Sequence, residues 1–540
     1  MMNSRRIIVR GCVSGTSFGD LLPLIQALFE VEFEIAPAEE AGTTNGIVFE
    51  EMRKQVGVSD RPAVSSFRFD FGEQPLNGGE LMEVEVCFAE DPDVPFPFQG
   101  RRIRLKVAGP ARRLVIEAGE KSLAVTEAGP VWLMSRFGDA RHYRSAWVLP
   151  AIPPEGTLHD VLNGGRFLEI LPFLHWLREP VTASGEVGPK LRACFLFDDP
   201  NLHWPRYGFV DFKQIAVEAA RENFHVSFAT VPFDAWYTNG AAAKIFRNHA
   251  ERISFLIHGN NHTYRELAGC YTAEGRLALL EQAIARIERL EQKTGIKVAR
   301  VMAAPHGACS EEMLRDLPRC GFEGATISHG SLRAHNATKD WTRSLGYLPA
   351  ELVYGCTVLP RWGMSLKSKN SILLAAYLHQ PIILIGHQMD LREGIGLLNE
   401  LARFINGLGP VQWLNFTHLF RTSYCYRTEG GICRVKPLTC KITLRSTRPV
   451  ERLIVEPVSS AGWTKWRVSF PKGPGLEAIS GEPILLPEGF GDPVALEAIL
   501  QPNGPKGAGS PRVPVRDALR RLLVEGRDRV TGQLLPFVRL

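Results

Sequence analysis

Two carboxylates, Asp198 and Asp199, stand side by side where the apolar run Ala193-Cys194-Phe195-Leu196-Phe197 stops. Adjacent ionised carboxylates repel each other and lose hydration, so a cation, a proton or several donors must compensate them. Further along, Ile257-His258-Gly259-Asn260-Asn261-His262 carries two imidazoles four residues apart. Four residues is one helical turn, so a chain that curls after a strand can aim both rings at one ion. A lone histidine pair at this spacing is commonly structural. Joined to an acidic strand end, it reads as a divalent metal site, with zinc preferred. Two histidines and one aspartate leave a coordination position for water, as a catalytic zinc requires.

These residues need elements that bring them together. From about 190 to 425 the sequence alternates strand-like and helix-like stretches. Expected strands are 192–197, 225–230, 252–257, 298–304, 324–328, 352–358 and 381–386, with 411–416 a possible eighth. Between them Asp211 is a plausible N-cap for a helix whose Phe212, Ile215, Ala216 and Ala219 share a face. A second helix is expected around 241–248, and another around 393–406. Leu277, Leu280, Ile284, Ile287 and Leu290 mark the strongest helix, closed by Gly295, with Glu281, Arg286, Glu288, Arg289 and Glu291 mostly on other faces, read as solvated. Repeated βα units imply a parallel sheet with outer helices, and this many suit a barrel, in which chemistry gathers at the C-terminal strand ends. The polar residues fall there. Asp198 and Asp199 follow the first strand, His258 the third, Pro305-His306-Gly307 the fourth, and His387 the strand 381–386.

The same stretches resemble the motifs of the polysaccharide deacetylase family, carbohydrate esterase family four. Leu196-Phe197-Asp198-Asp199-Pro200 is similar to T-F-D-D-G, and His258-Gly259-Asn260-Asn261-His262 to H-[ST]-x-x-H. Ala303-Ala304-Pro305-His306-Gly307 resembles R-P-P-Y-G, and Leu384-Ile385-Gly386-His387 the late L-x-H motif. The resemblance covers roughly 190 to 425. It implies a distorted (β/α) barrel of the polysaccharide deacetylase type, with Asp199, His258 and His262 on the metal, Asp198 as general base and His387 as general acid. The activity implied is removal of an acyl group, N-acetyl above all, from a carbohydrate. A small non-sugar amide is the alternative substrate, and a catalytically silent carbohydrate-binding protein the alternative role. The family arginine of the third motif corresponds to Ala303. Arg300 lies three residues earlier, roughly 10 Å along a strand, and is a poor local substitute. Pro305 and His306, with Trp204 and Trp362 as sugar-stacking surfaces, complete the expected substrate contacts.

The rest of the chain bounds these readings. Its 540 residues exceed one ordinary core. The expected divisions are an N-terminal mixed α/β domain over 1–150, a connecting helix and linker over 151–188, the barrel over 189–430, and a β-rich accessory domain over 431–540. Gly11, Gly15 and Gly19 punctuate a strand-to-helix turn before Leu21–Phe29, without the spacing of a phosphate-binding loop. The strands 81–88, 102–107, 114–117 and 131–134 follow, then a turn region at Pro150, Pro153, Pro154 and Gly156, and an apolar helix expected beneath the next domain. A net charge of +5 without a basic block gives no reason to expect nucleic acid, and Arg516, Arg520 and Arg521 read as a solvated helix face. No stretch approaches a membrane span, and the N-terminus runs straight into a strand, so a cytoplasmic location is expected. Ten cysteines without C-x-x-C spacing read as reduced thiols, the cluster Cys425, Cys433 and Cys440 included.

Overall fold

The computed structural model describes residues 5–500 except 11–16, 30, 37–45, 53–64, 71–80, 109–112, 148–155, 163–164, 184, 337–340, 446–449, 472–473 and 487–492, and beyond 500 only scattered helical residues from 515 to 527. Gly11, Gly15, Pro150, Pro153, Pro154 and Arg521 lie outside the described residues. The protein is of mixed α/β type and packs as two compact units, Met1–Gly185 with Asp340–Tyr347, and Glu186–Lys339 with Leu348–Leu540.

In the first unit a nine-stranded mixed sheet has Val31–Ile35 at one edge and Arg102–Ala108 at the other. The stretch 114–117, expected as a strand, is loop. The helix Leu171–Ala183 packs on this sheet, its Phe173 and Trp176 rings lying 5.3 and 6.1 Å from Phe67. Alternating Phe67 and Phe69 give the sheet an aromatic face that such a helix can bury.

The second unit holds a ten-stranded sheet. Its strands, numbered here in chain order, are β1 (Arg192–Asp198), β2 (Val226–Thr230), β3 (Ile253–His258), β4 (Val298–Ala303), β5 (Gly324–Thr326), β6 (Glu351–Val353), β7 (Cys356–Leu359), β8 (Trp362–Gly363), β9 (Ile382–Gly386) and β10 (Gln412–Trp413). The spatial order is β6-β7-β5-β4-β3-β2-β1-β9-β8, with β10 joining the start of β1. Every pairing is parallel except β6 with β7. β1 is buried along its whole length, as its continuous apolar run requires of a central parallel strand. The single strand expected over 352–358 is instead a tight hairpin. Tyr354 and Gly355, at φ 53° and 78°, supply the left-handed pair that a two-residue turn needs.

Among the described residues β6 and β8, the two ends of the sheet, do not pair, so the barrel expectation resolves into an open, curled sheet. Only Pro360 and Arg361 separate β7, near one end, from β8 at the other. So short a connection forces the two edges of the sheet toward each other. Four helices, α1 (Phe212–Arg221), α2 (Gly240–Asn248), α3 (Ala273–Thr294) and α4 (Glu311–Arg319), link the first strands. Side chains of Asp211, Asn239, Thr272 and Ser310 cap their N-termini, and Gly295 ends α3 in the left-handed conformation.

From Tyr424 the chain forms two four-stranded sheets that share one core, with Val435 and Leu453 on one sheet and Trp466, Val468 and Leu496 on the other. Cys425, Cys433 and Cys440 are free thiols. No helix among the described residues is long and apolar enough to cross a membrane.

Candidate metal centre and active site

The parallel register puts the ends of β1, β2, β3 and β9 side by side, Phe197 opposite Phe228 and Gly386, and Ala229 opposite Leu256. Asp198 is the last residue of β1 and stays buried. Asp199 turns out of the strand at φ 84°, its amide donating to the Ala229 carbonyl at 3.0 Å. A left-handed φ is costly for an aspartate, and it turns Asp199 off the strand that Asp198 ends.

One ligand atom each from Asp199, His258 and His262 lies within 4.8 Å of the others. His262 Nε2 is 3.2 Å from Asp199 Oδ1. His258 Nδ1 donates to the Ala303 carbonyl at 2.9 Å, which fixes the tautomer and leaves Nε2 with a lone pair. Two imidazoles and a carboxylate form a donor set suited to zinc, and the orienting carbonyl behind His258 is the usual support for a ligating ring.

The chain between the two histidines is not helical. It wraps around Glu266, a buried residue of the following loop, whose carboxylate accepts the amides of Asn260 and Asn261 at 2.7 Å each and of His262 at 3.2 Å. Burial pushes the Glu266 carboxyl up from its ordinary range, while the three amides work in the opposite direction. From α3, Gln282 accepts the Asn260 side-chain amide, and Arg286 donates to the side-chain oxygens of both Asn260 and Asn261 at 2.7 Å. Arg286 is thus a clamp on the histidine loop, not part of a solvated face. Gly259, at φ 61°, leaves no room for a larger residue. A Cβ there would stand 2.5 Å from Glu266 Oε2 and 2.6 Å from Pro305 Cγ.

The arginine that the third motif lacks has a counterpart from elsewhere in the chain. Arg361, buried in the two-residue link between β7 and β8, places Nη1 3.3 Å from Asp198 Oδ2 and donates from Nη2 to the Ala304 carbonyl at 3.3 Å. Arg300 faces away and pairs with Glu291 at 2.7 Å. Sequence reading overlooked Arg361 because nothing near it in the chain announces its buried partner, which lies 163 residues away.

The remaining expected residues divide. His387 follows β9 beside the end of β1 and is exposed, its amide held by Asp390 Oδ2 at 2.7 Å. Pro305 is buried beneath Gly259, where it shapes the loop. His306 lies beside the cluster, its ring 5.1 Å from His262 and 5.5 Å from Tyr264, and is outside the group of three donors. Burial and the neighbouring His258 hold its pKa below the ordinary histidine range. Trp204 is exposed after β1, and Trp362 lies half-buried on edge strand β8. Trp236 and Tyr237, absent from the sequence reading, are also exposed and lie within 5.7 Å of the His203 ring.

No family model matches the sequence, and no curated protein matches it. Solved structures that resemble it include deacetylases and carbohydrate esterases. One is the carbohydrate deacetylase Agd3, 9% identical, with 78% of this chain and 82% of that one covered at a TM-score of 0.40. A family 4 carbohydrate esterase from Streptomyces lividans is 9% identical over 41% of this chain and 88% of its own, TM-score 0.25. A family 4 pseudoenzyme from Bacillus anthracis is 14% identical over 43% and 66%, TM-score 0.27.

Proposed function

We propose that this protein is a metal-dependent hydrolase that removes an acyl group, N-acetyl in the first instance, from a carbohydrate. The observation that carries this reading is the convergence of Asp199, His258 and His262 to within 4.8 Å beside a second, buried carboxylate, Asp198. Asp199, His258 Nε2 and His262 Nε2 would hold the ion, with zinc favoured by two imidazoles and one carboxylate. The chemistry such an ion supplies when bound is Lewis-acid polarisation of an acyl carbonyl and a lowered pKa for water.

The protein's own residues supply the proton traffic. Asp198, aimed by Arg361, accepts the proton of the attacking water as general base. His387, exposed at the neighbouring strand end, donates a proton to the leaving amine. Glu266 and Arg286 keep the histidine loop rigid, so that the donors need little reorganisation when the substrate arrives.

Purified protein assayed for bound metal and for acetate release from N-acetylated sugars tests this. Asp198→Asn should abolish release with metal still bound, whereas His258→Ala and His262→Ala should lose the metal. Full metal content in both histidine variants would overturn the ligand assignment, and metal bound without turnover on any acylated substrate would overturn the enzymatic one.

A further inference from the structure

At the other end of β1, roughly 20 Å from Asp198 at the rise of a strand, lies a cavity of about 260 Å³ between the curled sheet and the C-terminal β-strands. Its lining has a one-sided charge. Lys190, Arg192, Arg421 and Arg445 contribute to it, and no Asp or Glu is among the described residues that line it. Arg421 is answered from outside the cavity by the buried Glu323, in a pairing with both its Nε and Nη2. The other three have no carboxylate partner among the described residues.

Arg192 is the unusual member. It is 0% exposed, yet all its partners are neutral: the carbonyls of Leu419 and His379 and the hydroxyls of Thr422 and Ser423, at 3.0 to 3.2 Å. Its Nε has no hydrogen-bond partner. A buried cation without a counter-charge is destabilising, and an unmet buried donor adds to that cost. Burial accordingly holds the Arg192 pKa down to about 10, and burial with Arg421 and Arg445 nearby keeps that of His418 low. The rest of the wall mixes the neutral polar side chains of Gln412, Thr422 and Thr443 with apolar and aromatic surface from Leu414 and the rings of Tyr424 and Tyr426, 6.1 Å apart.

We propose that this cavity is a binding site for a small organic anion, an apolar ring or chain bearing one carboxylate or phosphate group. The anionic group would meet Lys190 and Arg445, with the buried Arg192 charge behind them, and the apolar body would lie against Tyr424, Tyr426 and Leu414. A volume near 260 Å³ admits a ligand of about one ring and its substituent, at the small end of ligand pockets. Arg192 and Gln412 come from the sheet, while Tyr424, Thr443 and Arg445 come from or adjoin the C-terminal strands, so an occupant would bridge the two.

Titration calorimetry on the full chain with benzoate, phenyl phosphate and the uncharged benzyl alcohol tests the site. Saturable binding of benzoate or phenyl phosphate is expected, whichever is tighter naming the anionic group, with benzyl alcohol at least about tenfold weaker. Lys190→Ala and Arg445→Ala, both at exposed positions, should each weaken the anion by about tenfold. His258→Ala with His262→Ala should leave it unchanged, which separates this cavity from the metal centre. Absence of saturable binding to either anion, equal affinity for benzyl alcohol, indifference to the Lys190 and Arg445 substitutions, or loss of binding in the histidine variants would each overturn the proposal.

Discussion

Arg361 and Asp198 form a buried ion pair across the seam of the curled sheet, Nη1 lying 3.3 Å from Oδ2 and 3.5 Å from Oδ1. They stand 163 residues apart in the chain. Removing one partner leaves the other charge buried and alone, which costs about 3 kcal/mol or more. Arg361→Ala is therefore expected to lower the urea midpoint and to cut acetate release at least about a hundredfold, with metal content unchanged. Arg361→Lys should recover part of the stability and less of the rate, because an ammonium lacks the planar fork that reaches both Asp198 and the Ala304 carbonyl. Steady-state kinetics beside elemental analysis would expose an arginine that only stabilises the fold, since the rate would then survive.

Glu266 organises the histidine loop through three backbone amides. In Glu266→Gln the amide nitrogen cannot accept, so at least one buried N–H loses its partner at a cost of about 1–3 kcal/mol. Support of this kind behind ligands commonly governs metal affinity, and a weakening of about 10–100-fold is expected in competition with a chelator. Unchanged affinity would mean that the loop holds its shape without the carboxylate.

Gly259→Ala tests the same loop by sterics. The added methyl would meet Glu266 Oε2 and Pro305 Cγ at 2.5 and 2.6 Å, in a backbone conformation at φ 61° that L-residues rarely adopt. Lower stability and a lower metal stoichiometry are expected together. A variant that binds metal like the parent would show that the loop can move aside.

Stability should fall in mild acid because of His225, which is buried with Nδ1 donating to the Glu251 carbonyl and Nε2 within 2.8 Å of the Ser254 hydroxyl. Burial holds its pKa down to about 4, against 6.5 for a free side chain. Between those values the unfolded chain binds a proton that the folded one refuses. The His225 contribution is thus full above pH 6.5, declines as pH falls toward about 4, and by then has lost about 3 kcal/mol. Urea unfolding at a series of pH values should show this slope in the parent and a shallower one in His225→Asn. Parallel slopes would assign the acid sensitivity to other groups.

The local physics of the site was legible in the sequence. The apolar run of β1 reads as a buried strand, its acidic end needed compensation, and the spacing of His258 and His262 allowed one shared target. The capping by Asp211 and the closure of α3 by Gly295 were also readable, because caps and left-handed glycines act within a few residues of themselves. Relationships between distant segments were not. The hairpin at Tyr354 and Gly355 hid in what read as one strand, since Leu352, Val353, Cys356 and Val358 are equally apolar on either side of the turn. Arg286 looked solvated because its partners, Asn260 and Asn261, meet it only after α3 docks on the loop. Arg361 sits 58 residues from Ala303, the position where the motif predicts an arginine. Only the curl of the sheet, closed by a two-residue link, brings its guanidinium onto Asp198, because a buried charge is satisfied by whichever partner the folded chain delivers, not by its neighbour in sequence.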